Sequence, residues 1–222
     1  MGAYRKISAC ATILGSLFYH DPTTEGREGM LAWAQKADTP EAWESGQPEA
    51  GRALADLGEA VRDEGAEHIH RSFNRFFVGP YKPPAPAWGS VYTDPESVLF
   101  GNETLAVRQW MRDNRVKMNL KDKEPEDQFG LILLMAAWAV NHGVADDQVK
   151  SLFEDHLLPW SGRFLELFLE AAADESPRPP MASVPAPLPS KFYASCARLA
   201  IATLDDWTDR FGWMPRKVPI RR

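Results

Sequence analysis

Phe129-Gly130-Leu131-Ile132-Leu133-Leu134-Met135-Ala136-Ala137-Trp138-Ala139-Val140 is the most hydrophobic run of the chain, apolar on nearly every side and free of charge. A helix with no polar face has neighbours on most sides, so this one belongs at the centre of a bundle. It is too short to cross a bilayer, which takes about 20 apolar residues. Glu124-Pro125-Glu126-Asp127-Gln128 precedes it, with proline suited to a first helical turn and carboxylates at the positive end of the helix dipole. Asn141-His142-Gly143 ends it.

Outward from that centre, apolar residues recur every three or four positions. The spacing predicts helices over residues 3–19, 25–37, 49–78, 105–115, 146–158, 160–173 and 190–210. Asp94-Pro95-Glu96 and Asn102-Glu103-Thr104 both read as helix starts, and Pro159 divides two helices. No run alternates like a strand and no repeat is present, so the fold class is all-α. Residues 1–222 form a single domain, a length at which one core is common. Six of the 18 prolines fall within residues 175–189, which read as an exposed, mobile connection inside that domain. The tail, residues 217–222, is basic and expected to be loosely held.

The balance is 25 basic against 31 acidic residues, a net charge of -6. That sign disfavours nucleic acid and anionic membranes and leaves room for a basic partner. Cys10 and Cys196, each within an apolar helical pattern, read as two buried thiols of a reducing compartment. Arg5-Lys6 followed by apolar residues 7–19 has the outline of an export signal but lacks a small-residue cleavage site. Position 6 is Lys, so Met1-Gly2 does not begin a myristoylation motif. A soluble, cytoplasmic protein is expected.

Residues 72–92 mix helical, aromatic and turn chemistry. Phe73, Phe76 and Phe77 share a helical face, and Gly79-Pro80 stops that helix. Pro80, Pro83, Pro84 and Pro86 then hold the backbone extended, while Tyr81, Trp88 and Tyr92 supply amphipathic rings. Such a stiff loop serves either to bind an elongated ligand or only to plug its rings onto the core. The carboxylates Glu124, Glu126 and Asp127 have two readings as well. They favour a helix start by roughly 0.3 to 1 kcal/mol each, or they receive arginine side chains. His20, His68, His70, His142 and His156 make no metal-ligand pattern, and no phosphate loop, dinucleotide fingerprint or nucleophile elbow is present. An enzyme is therefore not expected, and no cofactor is implied.

Three blocks of residues carry a resemblance. They are residues 75–92, with Arg75-Phe76-Phe77-Val78-Gly79-Pro80 and Trp88-Gly89-Ser90-Val91-Tyr92; residues 96–112, with Glu96-Ser97-Val98-Leu99-Phe100-Gly101; and residues 124–138, opening on Glu124-Pro125-Glu126-Asp127. With weaker matches at 14–19 and 158–165, most of the chain resembles the TorD/DmsD family of cytoplasmic redox-enzyme maturation chaperones. The resemblance implies an all-helical, non-enzymatic protein that binds the twin-arginine leader of a molybdoenzyme and delays its Tat export until cofactor insertion and folding are complete. The client it implies is the catalytic subunit of dimethyl sulfoxide reductase. Trimethylamine oxide or selenate reductase is the alternative client, and a small carboxylate-based hydrolase or nucleotide-using enzyme the alternative class.

By the same resemblance the leader pocket is lined by Tyr19, Phe73, Phe76, Phe77, Pro80, Tyr81, Trp88, Glu124, Pro125, Asp127 and Gln128. Phe73 stands where the family usually has tryptophan, and Gln128 where it has histidine, so a role needing a titrating imidazole is in doubt. Partners implied are the leader, Tat translocase components and general chaperones, with no nucleic acid, no stable membrane insertion, and a monomeric state.

Overall fold

The computed structural model describes residues 4, 7–36, 43–79, 82–118, 124–174 and 189–221. Its elements are α1 (Ile7–Tyr19), α2 (Glu28–Lys36), α3 (Pro48–Phe73), a π turn (Asn74–Val78), α4 (Gly89–Thr93), α5 (Asn102–Asp113), α6 (Phe129–Asn141), α7 (Asp146–Ser151), a second π turn (Leu152–Leu157), α8 (Leu158–Ala173) and α9 (Lys191–Phe211). Among the described residues there is no strand, only one isolated bridge between Trp88 and Gln128. The all-α expectation is met. Much of residues 175–189 and the linker Lys121-Asp122-Lys123 lie outside the described residues, as do Met1-Gly2, Arg5-Lys6 and Arg222.

The described residues fall into two compact units, each drawn from separated stretches. The first takes in residues up to His20, Pro86–Phe164 and Thr203 onward. At its centre α1 and α6 cross at two glycines. A Cβ on Gly15 would stand 2.7 Å from the Gly130 carbonyl oxygen, and one on Gly130 would stand 2.6 Å from that of Gly15. Backbones approach this closely only where neither helix carries a side chain at the crossing. Around it pack Leu14, Leu17, Phe18, Phe129, Ile132, Leu133, Trp160 and Phe164, all buried. The Phe18 and Phe129 rings meet edge to face, with centroids 4.9 Å apart, and Tyr92 stacks on Trp160 at 5.6 Å.

The second unit spans Asp21–Ala85 and Leu165–Ala202. Its core joins Leu54, Leu57 and Ile69 of α3 to Phe168 of α8 and to Phe192, Tyr193 and Cys196 of α9. Burial pushes the Cys196 thiol well above its ordinary pKa, so it stays protonated and inert. The helix expected over 49–78 is interrupted twice. Gly65 leaves helical geometry at φ 70°, ψ 168°, and Asn74–Val78 loosens into a π turn before Gly79 at φ 101°. The first break has a purpose in the unit. Glu64 beside it accepts from the Lys191 amide, the Ser190 hydroxyl at 3.1 Å and the Phe192 amide at 3.4 Å, capping the start of α9.

Three further expectations are corrected. Pro159 does not separate two helices: it sits in the first turn of α8, where a missing amide proton is harmless, directly after the second π turn. Asp94-Pro95-Glu96 starts no helix; Asp94 instead folds a turn, accepting from the Glu96 amide at 3.0 Å. The tail is tied down: just before it, Arg216 donates from its amide to Glu154 O (2.8 Å) and from its guanidinium to the buried Glu103 (3.0 Å). The Arg221 amide then donates to Tyr92 O at 2.9 Å.

The crossing of α1 and α6 generates a prediction. Gly130→Ala must push a methyl group into a backbone oxygen that cannot rotate away, and should cost about 1 to 3 kcal/mol. Urea denaturation of the purified variant measures this, and an unchanged midpoint would show that the two helices can part at no cost.

Candidate functional site

The loop before α4 and the loop before α6 are locked together by their backbones. The Gly89 amide donates to Asp127 O at 3.0 Å and the Phe129 amide to Ala87 O at 2.8 Å, so Trp88 and Gln128 pair like residues of a two-stranded ladder. Both chains turn into helices directly afterwards, so two helix starts lie side by side. The start of α5 joins them through Asp127.

Asp127 is wholly buried. One carboxylate oxygen accepts from the Ser90 amide at 2.6 Å and the Ser90 hydroxyl at 2.7 Å; the other accepts from the Thr104 hydroxyl at 2.8 Å. The Thr104 amide in turn donates to Ser90 Oγ at 3.2 Å. These amides belong to the first turns of α4 and α5, where no earlier carbonyl is available to them. Burial nevertheless outweighs the hydrogen bonds and pushes the Asp127 carboxyl above its ordinary pKa.

Gln128 is 3 % exposed and spends its amide inward. Its oxygen accepts from the Leu131 amide, capping α6, while its nitrogen donates to Phe18 O near the end of α1, both at 2.8 Å. One side chain thus satisfies an orphan group on each of two helices.

The three acids of 124–127 meet different fates. Glu124 is partly exposed and accepts from the Trp88 indole at 2.6 Å. Glu126 takes the Arg108 guanidinium at 2.7 Å and raises its pKa, keeping it charged. Asp127 faces inward. Pro125 is buried, and Tyr19 lies beside the start of α6, where a Cβ on Gly130 would come within 3.0 Å of Tyr19 Cβ.

Of the residues expected to line a pocket, Tyr19, Trp88, Glu124, Pro125, Asp127 and Gln128 therefore gather around the start of α6 in the first unit. Phe73, Phe76 and Phe77 gather in the second, where Phe76 is fully buried against Phe168, centroids 4.6 Å apart, and Phe77 stacks on the same ring at 5.6 Å. Pro80 and Tyr81 lie outside the described residues. Phe76 and Asp127 present no surface, so each supports neighbours rather than touching a ligand. Sequence reasoning missed Ser90 and Thr104. Their signal was two hydroxyl residues in the first turns of short helices, which a carboxylate elsewhere can enlist. Among the described residues no group of three His, Cys, Asp or Glu could hold a metal ion.

The described residues make an all-helical protein in which capped helix starts frame the partly exposed Trp88–Glu124 pair. The chain belongs to the TorD/DmsD family: the model of the nitrate reductase delta subunit family matches residues 44–166. That family is one of chaperones and not of catalysts. The "Tat proofreading chaperone DmsD" of Salmonella typhi is 36% identical over 197 residues, 89% of this chain and 86% of the relative. The "Probable Tat proofreading chaperone DmsD" of Haemophilus influenzae is 29% identical over 204 residues, 91% of this chain and 90% of that one. "Chaperone protein YcdY" of Escherichia coli is 25% identical over 168 residues, 72% of this chain and 79% of that one.

Asp127→Ala should strand the Ser90 and Thr104 donors and cost about 3 kcal/mol or more, since a buried unsatisfied group costs roughly 1 to 3 kcal/mol. Chemical denaturation would register it. A pH series adds the sign. With its folded pKa raised, the contribution of Asp127 is complete below the unfolded value and is lost as pH rises through the folded one. The wild type should then lose stability relative to Asp127→Asn as pH climbs above about 3.9, and the difference should level off beyond the folded pKa. A difference that widens in favour of the wild type over that window would mean that the hydrogen bonds, not burial, dominate.

Proposed function

We propose that this chain is a cytoplasmic, monomeric chaperone that binds the twin-arginine leader of a molybdoenzyme, the catalytic subunit of dimethyl sulfoxide reductase, and holds it back from the Tat translocase until the enzyme is mature. The observation that carries this reading is the Trp88–Glu124 pair, 2.6 Å apart and partly exposed, at the edge of a frame fixed by Asp127. An arginine guanidinium pairs with a carboxylate and lies flat on an indole, so the two side chains together select arginine over lysine. The names of the DmsD relatives support the same reading.

Within it, Asp127, Gln128 and Phe76 position, while Trp88, Glu124 and Tyr19 touch the ligand. Phe73, Phe77, Pro80 and Tyr81 belong to the proposal as apolar contacts of the leader. The net charge of -6 suits a cationic peptide and speeds its arrival.

Calorimetric titration of a synthetic leader tests this. Replacing both leader arginines with alanine should weaken binding about tenfold or more. Glu124→Gln, which can keep the bond from Trp88 but loses the charge, should do the same, and added salt should weaken the wild-type complex by screening. Equal affinity for the intact and arginine-free leaders would end the arginine reading. Competition among leaders of dimethyl sulfoxide, trimethylamine oxide and selenate reductases identifies the client.

A further inference from the structure

Four large apolar side chains of the first unit stand in the open within one short span: Val98 at 39%, Leu99 at 47%, Phe100 at 43% and Leu105 at 55% exposure. They come from the block Glu96-Ser97-Val98-Leu99-Phe100-Gly101 and the first turns of α5, which the site described above does not use. Scattered exposed apolar residues are ordinary; a contiguous strip of them marks a contact surface.

This strip is built, not frayed. Asp94 is 8% exposed and clamps the backbone beneath it, one oxygen accepting from the Glu96 amide at 3.0 Å and the other from the Asn102 amide at 3.3 Å. The Ser97 amide donates to Asp94 O at 3.0 Å. Gly101 leaves no room for a side chain, since a Cβ there would lie 2.8 Å from the Asp94 carboxylate. Ser97 and Phe100 are held in the left-handed region, φ 50° and 59°, although neither is glycine. Such backbone is costly and persists where surrounding structure imposes it, most often at ligand-binding segments. Here it turns three large apolar side chains outward.

Through Arg108 the strip also reaches the acidic turn that carries the proposed arginine site. The Arg108 guanidinium lies over the Phe100 ring, 5.6 Å from its centroid, and bonds Glu126 at 2.7 Å, two residues from Glu124. A carboxylate site beside an apolar strip repeats the order of an export leader, in which a charged region precedes an apolar one of about 7 to 15 residues. Extended, ten such residues reach about 33 Å, more than one aromatic cluster can cover.

We propose that Val98, Leu99, Phe100 and Leu105 form a seat for the apolar segment that follows the arginines of the leader. This rests on the leader-binding reading above and adds to it a surface that decides which leaders are held. Arg108, paired with Glu126, borders the seat.

The test titrates two synthetic leaders, one intact and one whose apolar segment is replaced by serine and glycine, into the wild type and into L99S/F100S. The double variant should bind the intact leader about tenfold or more weakly, because two large apolar side chains lose their contact with its apolar segment. It should lose little further with the depleted leader. Leu105→Gln, on a regular helix and clear of the strained turn, should shift affinity in the same direction by a smaller factor. If the wild type binds the intact leader and all variants match it within twofold, the seat is wrong while the arginine site stands. If the wild type binds neither leader, both readings fall. If sedimentation shows a dimer that L99S/F100S dissociates with peptide affinity unchanged, the strip serves a second copy of this chain and the proposal is overturned.

Discussion

A single buried carboxylate sets the geometry of the first unit. Taking an ionised Asp127 out of water costs several kcal/mol, and the hydrogen bonds that offset part of that cost come from groups with the same difficulty, the amides and hydroxyls at the starts of α4 and α5. Each side of the arrangement would be unfavourable alone. Together they fix the starts of α4, α5 and α6 relative to one another, and the Trp88–Gln128 backbone pairing closes the frame. The exposed chemistry of Trp88 and Glu124 stands on that frame, so its precision comes from residues that no ligand reaches.

The division of labour among Glu124, Glu126 and Asp127 follows from the turn that carries them. A chain bending into a helix points successive side chains in different directions, so one acid faces the Trp88 indole, one reaches Arg108, and one enters the core. Read from sequence, these acids and Pro125 stand at the start of α6, but α6 begins at Phe129 with Gln128 as its cap and carries no acid in its first turn. Asp127 instead serves the starts of α4 and α5, and Glu124 pairs with the Trp88 indole.

Legibility from sequence tracked how local each cause was. The central place of α6 showed in twelve uncharged residues, and α1 and α9 in their stripes, because a helix writes its buried face into its own periodicity. Gly15 and Gly130 looked like ordinary glycines until their helices met. The breaks at Gly65 and at the two π turns were hidden, since apolar spacing continues through them and only distant packing gives the reason. The same holds at the site. Trp88 and Glu124 were legible as residue types beside a stiff loop, and the family resemblance named them. The inward role of Asp127 and the double cap made by Gln128 depend on Ser90, Thr104 and Phe18, between 23 and 110 residues away, which no local pattern joins to them.

Glu64 shows what a remote cap allows. A helix normally takes its first-turn acceptor from the residues just before it, which ties its start to the sequence of the preceding connection. In α9 that acceptor comes chiefly from α3, presented where Gly65 interrupts the helix. The origin of α9 is thereby decoupled from the chain leading into it. The connection between Asp174 and Pro189 supplies neither of the Glu64 contacts, so a change in its length leaves that cap, and the aromatic core under Tyr193, in place.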